Sequence, residues 1–460
     1  MNYLRRVFIA GYVLIILITY SVFLYHSIKV KAAVDFVLFY NSAYNFFHHL
    51  PLYAAVPWHN YFLPESLRNQ LIIIQKPIAS LGANYSNNLN PPAAILFVLP
   101  FGLLSYTHAA ILWYSACFLA TFITLALIYR YYFPQQKSLF GYLTLLGIFL
   151  STLPYQANIT LGQYNIFIVL GVFLTWIWSK QHKGFAAGFI LGLLIATKYF
   201  LGLLIIFYFL QRRWKTISGT AISFVGINLI ALGLFGKAAY IQHFEILNRI
   251  AWYATAWNAS ILGFFARFSY QYAGGLALIA PWSHYAYYFA SVLVLIFLAQ
   301  FIDNSFKQKN DFDVGFFLTL IASILLSPLG WAYYLILLIF PVLSVVRSLA
   351  SIPVSEQSKS LWLVFVFSFT LGLLCFPAKI ETFAKGGWTA FSLLCSSYFY
   401  GIWLLVFLLF YCRRYIQTKS FSEISSSNLL PWTLLCYIVT FPAFGILFYQ
   451  VFIKKVKCWQ

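Results

Sequence analysis

The sequence predicts an all-α polytopic membrane protein, on three observations. Hydrophobic residues make up 62% of the 460 residues and charged residues 8%, against about 25% charged residues in a soluble globular domain. Many apolar runs approach the length of about 20 residues that crosses the hydrocarbon core of a bilayer. Trp and Tyr gather near the ends of these runs, as at membrane–water interfaces. We expect one multispanning domain, residues 1–460, embedded in the lipid bilayer.

About thirteen apolar runs are candidate spans, and we expect about 11 to 15 transmembrane helices. The first run, residues 7–25, follows Arg5-Arg6, which places the N-terminus in the cytoplasm. The other runs are residues 92–104, 109–129, 139–153, 166–178, 185–210, 217–235, 276–301, 316–326, 333–346, 362–376, 391–411 and 432–452. The lysines at residues 454–457 also indicate a cytoplasmic C-terminus, which requires an even number of spans. The parity therefore stays open.

The net charge of +20 indicates membrane topology rather than nucleic-acid binding. Lys and Arg lie in short loops beside the spans, where they fix orientation and favour anionic lipid headgroups. We expect no nucleic-acid partner, because no compact soluble domain is present to carry a binding surface. The six Cys are scattered without a Cys-x-x-Cys pair, so neither a disulfide framework nor a zinc site is indicated. No nucleotide-binding motif is visible, and we expect no metal and no cofactor.

Two long polar segments, residues 26–90 and 236–272, are predicted to be the external loops. In the first loop the apolar residues after Asp35 recur at helical spacing, which predicts a helix along the membrane surface with His48 and His49 near its end. These apolar residues are Phe36, Phe39, Tyr40, Ala43, Phe46, Phe47 and Leu50. A second short helix is predicted from Pro64 to Gln75.

Asp35 is the leading candidate for a general base. The chain has only nine Asp and Glu, and Asp35 is the first of them, just beyond the first span. Asp is also a favoured helix N-cap, so a purely structural role is the alternative. The two roles are compatible only if one carboxylate oxygen remains free.

Lys198 is the leading candidate for a phosphate-binding cation. It lies inside the apolar run 185–210, and an ionised group at membrane depth costs about 3 kcal/mol or more unless it is paired. With so few acids in the chain, a phosphate is a plausible partner. The alternative is a lysine that snorkels to the interface at a helix break.

Three polar clusters supply further candidates. Gly162-Gln163-Tyr164-Asn165 opens an apolar run, and its amides could bind sugar or phosphate or simply cap a helix. Asn258, Arg249 and Arg267 lie in the second external loop, where Arg267 is either a phosphate clamp or a solvated arginine. The stretch from Ser327 to Tyr334 breaks an apolar run with Pro and Gly. It either lines a cavity or forms an ordinary turn.

In their order along the chain these motifs resemble glycosyltransferase family 87, integral-membrane enzymes of the GT-C superfamily that use polyprenyl-phosphate-mannose. The resemblance covers roughly residues 30–345. Its motifs are Asp35-Phe36 with Tyr40 and Ala43, Leu52-Tyr53, Asn90-Pro91-Pro92, Gly162-Gln163-x-Asn165, Lys198 after Gly188-x-x-x-Gly192, Asn258-x-Ser260 and Ser327-Pro328-x-x-Trp331-x-x-Tyr334.

The resemblance implies a GT-C-like helical bundle with surface helices in the first external loop, and Asp35 as catalytic base. We expect transfer of a hexose from a polyprenyl-phosphate-sugar donor to a lipid or glycan acceptor, with mannose as the leading candidate for the hexose. The reaction would be inverting and metal-independent, on the external face of a bacterial inner (plasma) membrane. The donor-phosphate candidates are Lys198, Arg267 and Arg249. The substrate-binding candidates are Tyr40, His48, His49, Gln163, Asn165, Asn258, Trp331, Tyr333 and Tyr334.

Two positions depart from the family pattern. Ala259 stands where members often have Gln, and Tyr333 stands where they often have His. The role of that His would fall to Tyr333, His48, His49 or His59, or be lost. A transporter or flippase of lipid-linked glycans, or a glycan polymerase or ligase, is the alternative function. A transporter would show a repeat and mid-span charges, whereas polarity here concentrates in the external loops.

Overall fold

Helices make up most of the residues that the computed structural model describes, as the apolar runs predict. The structure describes residues 2–29, 34–54, 88–134, 138–248, 250, 252–273, 276–308, 311–351, 357–375, 390–418 and 426–453. The helices of the first half are α1 (Asn2–Lys29), α2 (Val34–Phe47), α3 (Pro92–Val98), α4 (Tyr106–Tyr132), α5 (Leu139–Ser151), α6 (Leu153–Leu161), α7 (Asn165–Lys180), α8 (Gly184–Thr197), α9 (Leu203–Leu210) and α10 (Trp214–Asn248). The 3₁₀ segment Leu99–Leu103 extends α3, and Tyr199–Gly202 links α8 to α9.

The second half contains the remaining helices and one short hairpin. The helices are α11 (Ile261–Ser269), α12 (Pro281–Gln308), α13 (Phe312–Leu326), α14 (Ile339–Ala350), α15 (Gln357–Leu374), α16 (Ala390–Leu394), α17 (Ser397–Thr418) and α18 (Ser426–Phe448). Trp252–Ala254 and Ala332–Leu338 are 3₁₀ segments, and Tyr449–Ile453 is a π-helical end. The strands β1 (Tyr270–Ala273) and β2 (Leu276–Ile279) pair antiparallel, with Tyr270 opposite Ile279.

The protein is polytopic. Within the described residues, five helices are long and apolar enough to cross a membrane, or six if the bent pair α5 and α6 is one span. The bend of 68° between α5 and α6 lies at Thr152. Eight shorter apolar helices accompany them. The all-α membrane architecture is therefore confirmed, while the count of 11 to 15 spans stays a prediction.

Three breaks refine the predicted runs. The run 185–210 is divided at Lys198, whose backbone is extended (φ −141°, ψ 93°) between α8 and the following 3₁₀ turn. The run expected from residue 276 begins as strand β2, and its helix starts only at Pro281, because Pro is favoured in a first helical turn. Helix α10 kinks at Gly236 (φ 71°, ψ 170°), so residues 237–248 carry helical structure into the predicted second external loop.

Helices α8 and α10 lie in direct backbone contact. A Cβ atom added to Gly188 would lie 1.9 Å from the carbonyl oxygen of Thr216, and one added to Gly192 would lie 2.0 Å from Ser223 Oγ. Neither approach leaves room for a side chain. This close packing holds the end of α8, and therefore Lys198, firmly against α10.

Candidate active site

Helix α2 presents Asp35 from its first turn, where a carboxylate interacts favourably with the helix dipole. The helix lies where the spacing predicts one, but it ends at Phe47, before the two histidines. On its polar face Asn41, Ser42 and Asn45 are buried. The returning chain binds that polar face: Asn88 Nδ2 donates to Ser42 Oγ at 2.9 Å, and Asn45 Nδ2 donates to the Ala54 carbonyl at 2.9 Å. Asp35 therefore extends from a helix that is fixed on several sides.

Gln163 holds one oxygen of the Asp35 carboxylate. Its Nε2 donates to Asp35 Oδ2 at 2.7 Å, whereas the other carboxylate oxygen has no hydrogen-bond partner in the described part of the chain. Asp35 also lies one residue inside the helix rather than before it. The condition for a catalytic role, a free carboxylate oxygen, is thus met.

The turn before Gln163 depends on Gly162. This residue ends α6 with φ 74°, a conformation that favours glycine. A Cβ atom there would lie 2.6 Å from Cβ of Phe36. Its carbonyl accepts a hydrogen bond of 2.9 Å from Trp113 Nε1. Gly162 therefore lets the chain pass close to the start of α2 and brings Gln163 to Asp35.

The environment of Asp35 makes it a stronger base than an ordinary aspartate. Burial raises its pKa from 3.8 to about 6, while the Gln163 hydrogen bond and the positive charge of Lys198 act in the opposite direction. At neutral pH the carboxylate is therefore ionised, yet its pKa lies close enough to 7 for efficient proton uptake.

Lys198 is buried, with 7% of its surface exposed, and does not snorkel. Its Nζ donates to Asn90 Oδ1 at 3.0 Å and lies 4.8 Å and 5.3 Å from the ring centroids of Tyr164 and Tyr334. Within the described residues no carboxylate forms a direct ion pair with it. An ammonium group has three donors, so two of them remain for a ligand.

The network around Asn90 was not predicted from the sequence. Tyr164 Oη donates to Asn90 Oδ1 at 2.9 Å, Asn90 Nδ2 donates to Asn88 Oδ1 at 2.8 Å, and Tyr53 Oη donates to the Asn90 carbonyl at 2.6 Å. In the sequence Asn90-Pro91-Pro92 stood out only as a motif of the family resemblance, directly before the apolar run 92–104. The one available signal was the recurrence of polar residues immediately before a Pro-led helix.

Aromatic residues after the Pro-Gly break line the site near Asp35 and Lys198. Trp331 stacks on Tyr333 with ring centroids 6.1 Å apart, and Tyr333 meets Tyr334 edge to face at 4.8 Å. Both phenols are close enough to Asp35 to interact with its charge. The break therefore belongs to the site.

Asn165 supports these aromatic residues from behind. Its Nδ2 donates to Asn158 Oδ1 at 2.8 Å, and Asn158 Nδ2 donates to the Tyr333 carbonyl at 2.8 Å. Asn165 is itself buried. The geometry favours a positioning role for it, with Asn158 as the link that sequence reasoning missed.

Asn258 fastens the second external segment to the Pro-Gly break. Its Nδ2 donates to the Tyr253 and Pro328 carbonyls at 3.0 and 2.9 Å, and its Oδ1 accepts from the Ser260 and Gly330 amides at 3.1 and 2.9 Å. These contacts occupy both amide donors and the acceptor oxygen. Asn258 also forms a β-bridge with the neighbouring Trp331. The fold therefore favours a role for Asn258 in positioning Trp331 over direct contact with a sugar.

Arg267 lies directly behind this turn. It is completely buried. Its Nη1 donates hydrogen bonds to the Thr255 and Asn258 carbonyls at 2.9 and 2.8 Å, and its Nε donates to Ser396 Oγ at 2.8 Å. Burial lowers its pKa to about 10, so it remains a cation at neutral pH. In the described part of the chain Nη2 has no partner, and only this nitrogen is available to an anion.

The remaining candidates are not brought to Asp35. Tyr40 is buried and donates to the Leu104 carbonyl at 2.8 Å. His48 is exposed and stacks on Tyr44 at 3.7 Å, and His49 is exposed with φ 56°. At 1.5 Å per residue, the end of α2 lies about 20 Å from Asp35. Arg249, His59 and the helix predicted from Pro64 to Gln75 lie outside the described residues.

A model of a known protein family matches the middle of the chain. The family model described as "Glycosyltransferase family 87" matches residues 88–328, more than half of the chain. The chain belongs to glycosyltransferase family 87. No curated protein and no solved structure matches it. The match spans Gln163 and Lys198 but begins after Asp35 and ends before Trp331. The place of all these residues in the site rests on the geometry above.

Proposed function

We propose that this family 87 glycosyltransferase moves a hexose from a polyprenyl-phosphate-sugar donor to a lipid or glycan acceptor. Mannose is the leading candidate for the hexose. The observation that carries the proposal is a pair of opposite charges that each keep unused hydrogen-bonding capacity. Asp35 has a free oxygen, Lys198 has free donors, and each acts on the other electrostatically without a direct ion pair in the described residues. A base and a cation so arranged suit a reaction that releases a proton and a phosphate together.

In the proposed reaction the acceptor hydroxyl gives its proton to Asp35 as its oxygen attacks the anomeric carbon. The bond from that carbon to the donor phosphate breaks on the opposite face, which inverts the configuration. Lys198 stabilises the negative charge that develops on the departing phosphate. Binding both substrates in this orientation removes much of the entropic cost of their encounter.

The other candidate residues act on the substrate more or less directly in this proposal. Gln163 orients Asp35, while Trp331, Tyr333 and Tyr334 provide surfaces against which the substrate packs. Arg267 reaches the phosphate only through Nη2, and Arg249 stays a candidate second cation. Tyr40, His48, His49, Asn165 and Asn258 act on substrate indirectly or at a distance from the reacting carbon.

We place the reaction on the non-cytoplasmic face of a bacterial plasma membrane. Arg5-Arg6 before the first span supports this orientation. We also propose that the transfer needs no metal. The chain has nine acids in 460 residues. In the described part of the chain Asp35 interacts with the amide nitrogen of Gln163 and the charge of Lys198, and neither group is a ligand for a divalent ion.

Transfer of radiolabel from polyprenyl-phosphate-mannose to extractable membrane lipids tests the proposal. We expect Asp35→Asn to insert and fold normally but to lose about 100-fold or more in rate, because the general base is removed. Asp303→Asn is the matched control, since Asp303 is an exposed acid paired with Lys307. Wild-type rates in the Asp35 variant would remove this residue from the mechanism.

A further inference from the structure

A buried histidine near the site is not used by the reaction described so far. His243 lies in residues 237–248, the part of α10 beyond the Gly236 kink. Its side chain is 0% exposed, and neither ring nitrogen has a hydrogen-bond partner in the described part of the chain. Each unsatisfied buried polar atom costs about 1 to 3 kcal/mol. His243 therefore weakens the fold at a position where an apolar residue would stabilise it.

The position itself is an ordinary core position. Ala239, His243 and Ile246 form the buried face of this helical segment, at the spacing expected for an apolar stripe. A residue that opposes local stability without a compensating contact is expected where function requires it. The histidine is therefore a candidate for ligand binding.

The neighbours of His243 connect it to the phosphate cation. Tyr53 stacks on the imidazole with ring centroids 5.8 Å apart, and the same tyrosine donates to the carbonyl of Asn90, which holds Lys198. Tyr199, the residue after Lys198, meets the imidazole edge to face at 6.0 Å. Contacts through Tyr53 and Asn90 thus connect His243 to the ammonium group.

The surroundings determine what the imidazole can bind. Tyr53, Tyr199 and Phe244 lie around the ring, and no described acid forms an ion pair with it, so the neutral form is favoured. A neutral imidazole offers one donor and one acceptor. A phosphate monoanion ester offers mainly acceptors, whereas neighbouring hydroxyl groups satisfy both ring nitrogens.

We propose that His243, between Tyr53 and Tyr199, binds hydroxyl groups of a sugar in this enzyme. The proposal rests on the proposed function and extends it by naming a recognition residue. Tyr199 is 39% exposed and has no hydrogen bond through its hydroxyl in the described residues. Displacement of this side chain would open the imidazole to a sugar. The sugar belongs either to the donor or to the acceptor.

Two substitutions separate binding from a structural role. His243→Phe keeps a ring but removes both hydrogen-bonding groups, and His243→Gln keeps one donor and one acceptor. Ile241→Phe is the control, because Ile241 lies on the exposed face of the same helix. We expect His243→Phe to raise the thermal unfolding temperature of the detergent-solubilised protein. A lower unfolding temperature would show that the histidine supports the fold and would overturn the proposal.

Binding is measured as the rise in unfolding temperature caused by farnesyl phosphate carrying mannose, glucose or galactose, minus the rise caused by farnesyl phosphate alone. Transfer is measured as the initial rate to the acceptors present in membranes. Loss of the sugar-dependent rise in His243→Phe, with partial recovery in His243→Gln, assigns the histidine to the donor sugar. A retained rise with a transfer rate lower by about tenfold or more assigns it to the acceptor.

The failures are distinguishable. If none of the three sugars adds to the stabilisation of the wild-type protein, the proposed donor class is wrong and the inference falls with it. If a sugar stabilises the wild type and His243→Phe equally, and transfer is also unchanged, the inference alone is wrong. Ile241→Phe should match the wild type in both measurements.

Discussion

At the scale of single residues, the pKa of Asp35 governs the response of the enzyme to pH. Burial raises that pKa to about 6, so the carboxylate is ionised above this pH and protonated below it. A general base must be ionised to accept a proton. We expect the initial rate of transfer to fall as pH drops through about 6. A rate that stays flat from pH 7 to pH 5 would contradict the assignment.

The same pKa has a consequence for stability, with the opposite sign. Because the folded-state pKa is raised above the ordinary 3.8, stability present at low pH is lost as pH rises through about 6. Asp35→Asn removes this loss. The variant should therefore unfold at a higher temperature than the wild type above pH 6, while the difference should vanish near pH 4.

Lys198 gives a second prediction at this scale. Replacing it with Met removes the charge opposite the donor phosphate, and a hydrogen bond to a charged group contributes about 1.5 to 3 kcal/mol. We expect the apparent KM for donor to rise about tenfold or more, with little change in acceptor dependence. The Lys198 charge also lowers the pKa of Asp35. Without it, the fall of the transfer rate at acidic pH should therefore begin at a higher pH. Unchanged donor dependence would argue for a structural lysine.

At the scale of structural elements, the turn between α6 and α7 sets the geometry of the base. Gly162→Ala would place a methyl group 2.6 Å from Cβ of Phe36 and strain a backbone with φ 74°. We expect Gln163 to move away from Asp35, with a loss of activity larger than the loss of stability. Gly445→Ala is the control, because a Cβ atom there meets no atom within 4 Å. Wild-type activity in Gly162→Ala would show that the turn tolerates the change.

The elements also show how far the sequence could reach. Helical spacing predicted α2 and placed Asp35 at its start, and a lone charge in an apolar run marked the break at Lys198. The partners of those residues could not be predicted. Gln163 reaches Asp35 across 128 positions of sequence and Asn90 reaches Lys198 across 108, and only tertiary packing selects such pairs. For the same reason Asn258 was predicted to bind substrate although the fold occupies its amide.

At the scale of the whole molecule, helix α13 separates the site from a second set of charges. Its C-terminal end leads to the Pro-Gly break, whereas Asp311 and Asp313 lie at its other end, about 20 Å away at 1.5 Å per residue. Asp313 accepts hydrogen bonds of 2.9 Å from Lys180 Nζ and Trp176 Nε1 on α7. Asp311 pairs with Arg413 on α17. These contacts join three helices far from the reacting groups.

Breaking the second of these pairs should lower stability without changing the chemistry. Arg413→Met leaves Asp311, whose side chain is 0% exposed, as an unpaired buried carboxylate, which costs about 3 kcal/mol or more. We expect a lower unfolding temperature but a normal transfer rate and pH profile per folded molecule. The double variant with Asp311→Asn should recover part of the loss, because it removes the unpaired charge. An altered pH profile in Arg413→Met would instead show that this end of α13 is coupled to Asp35.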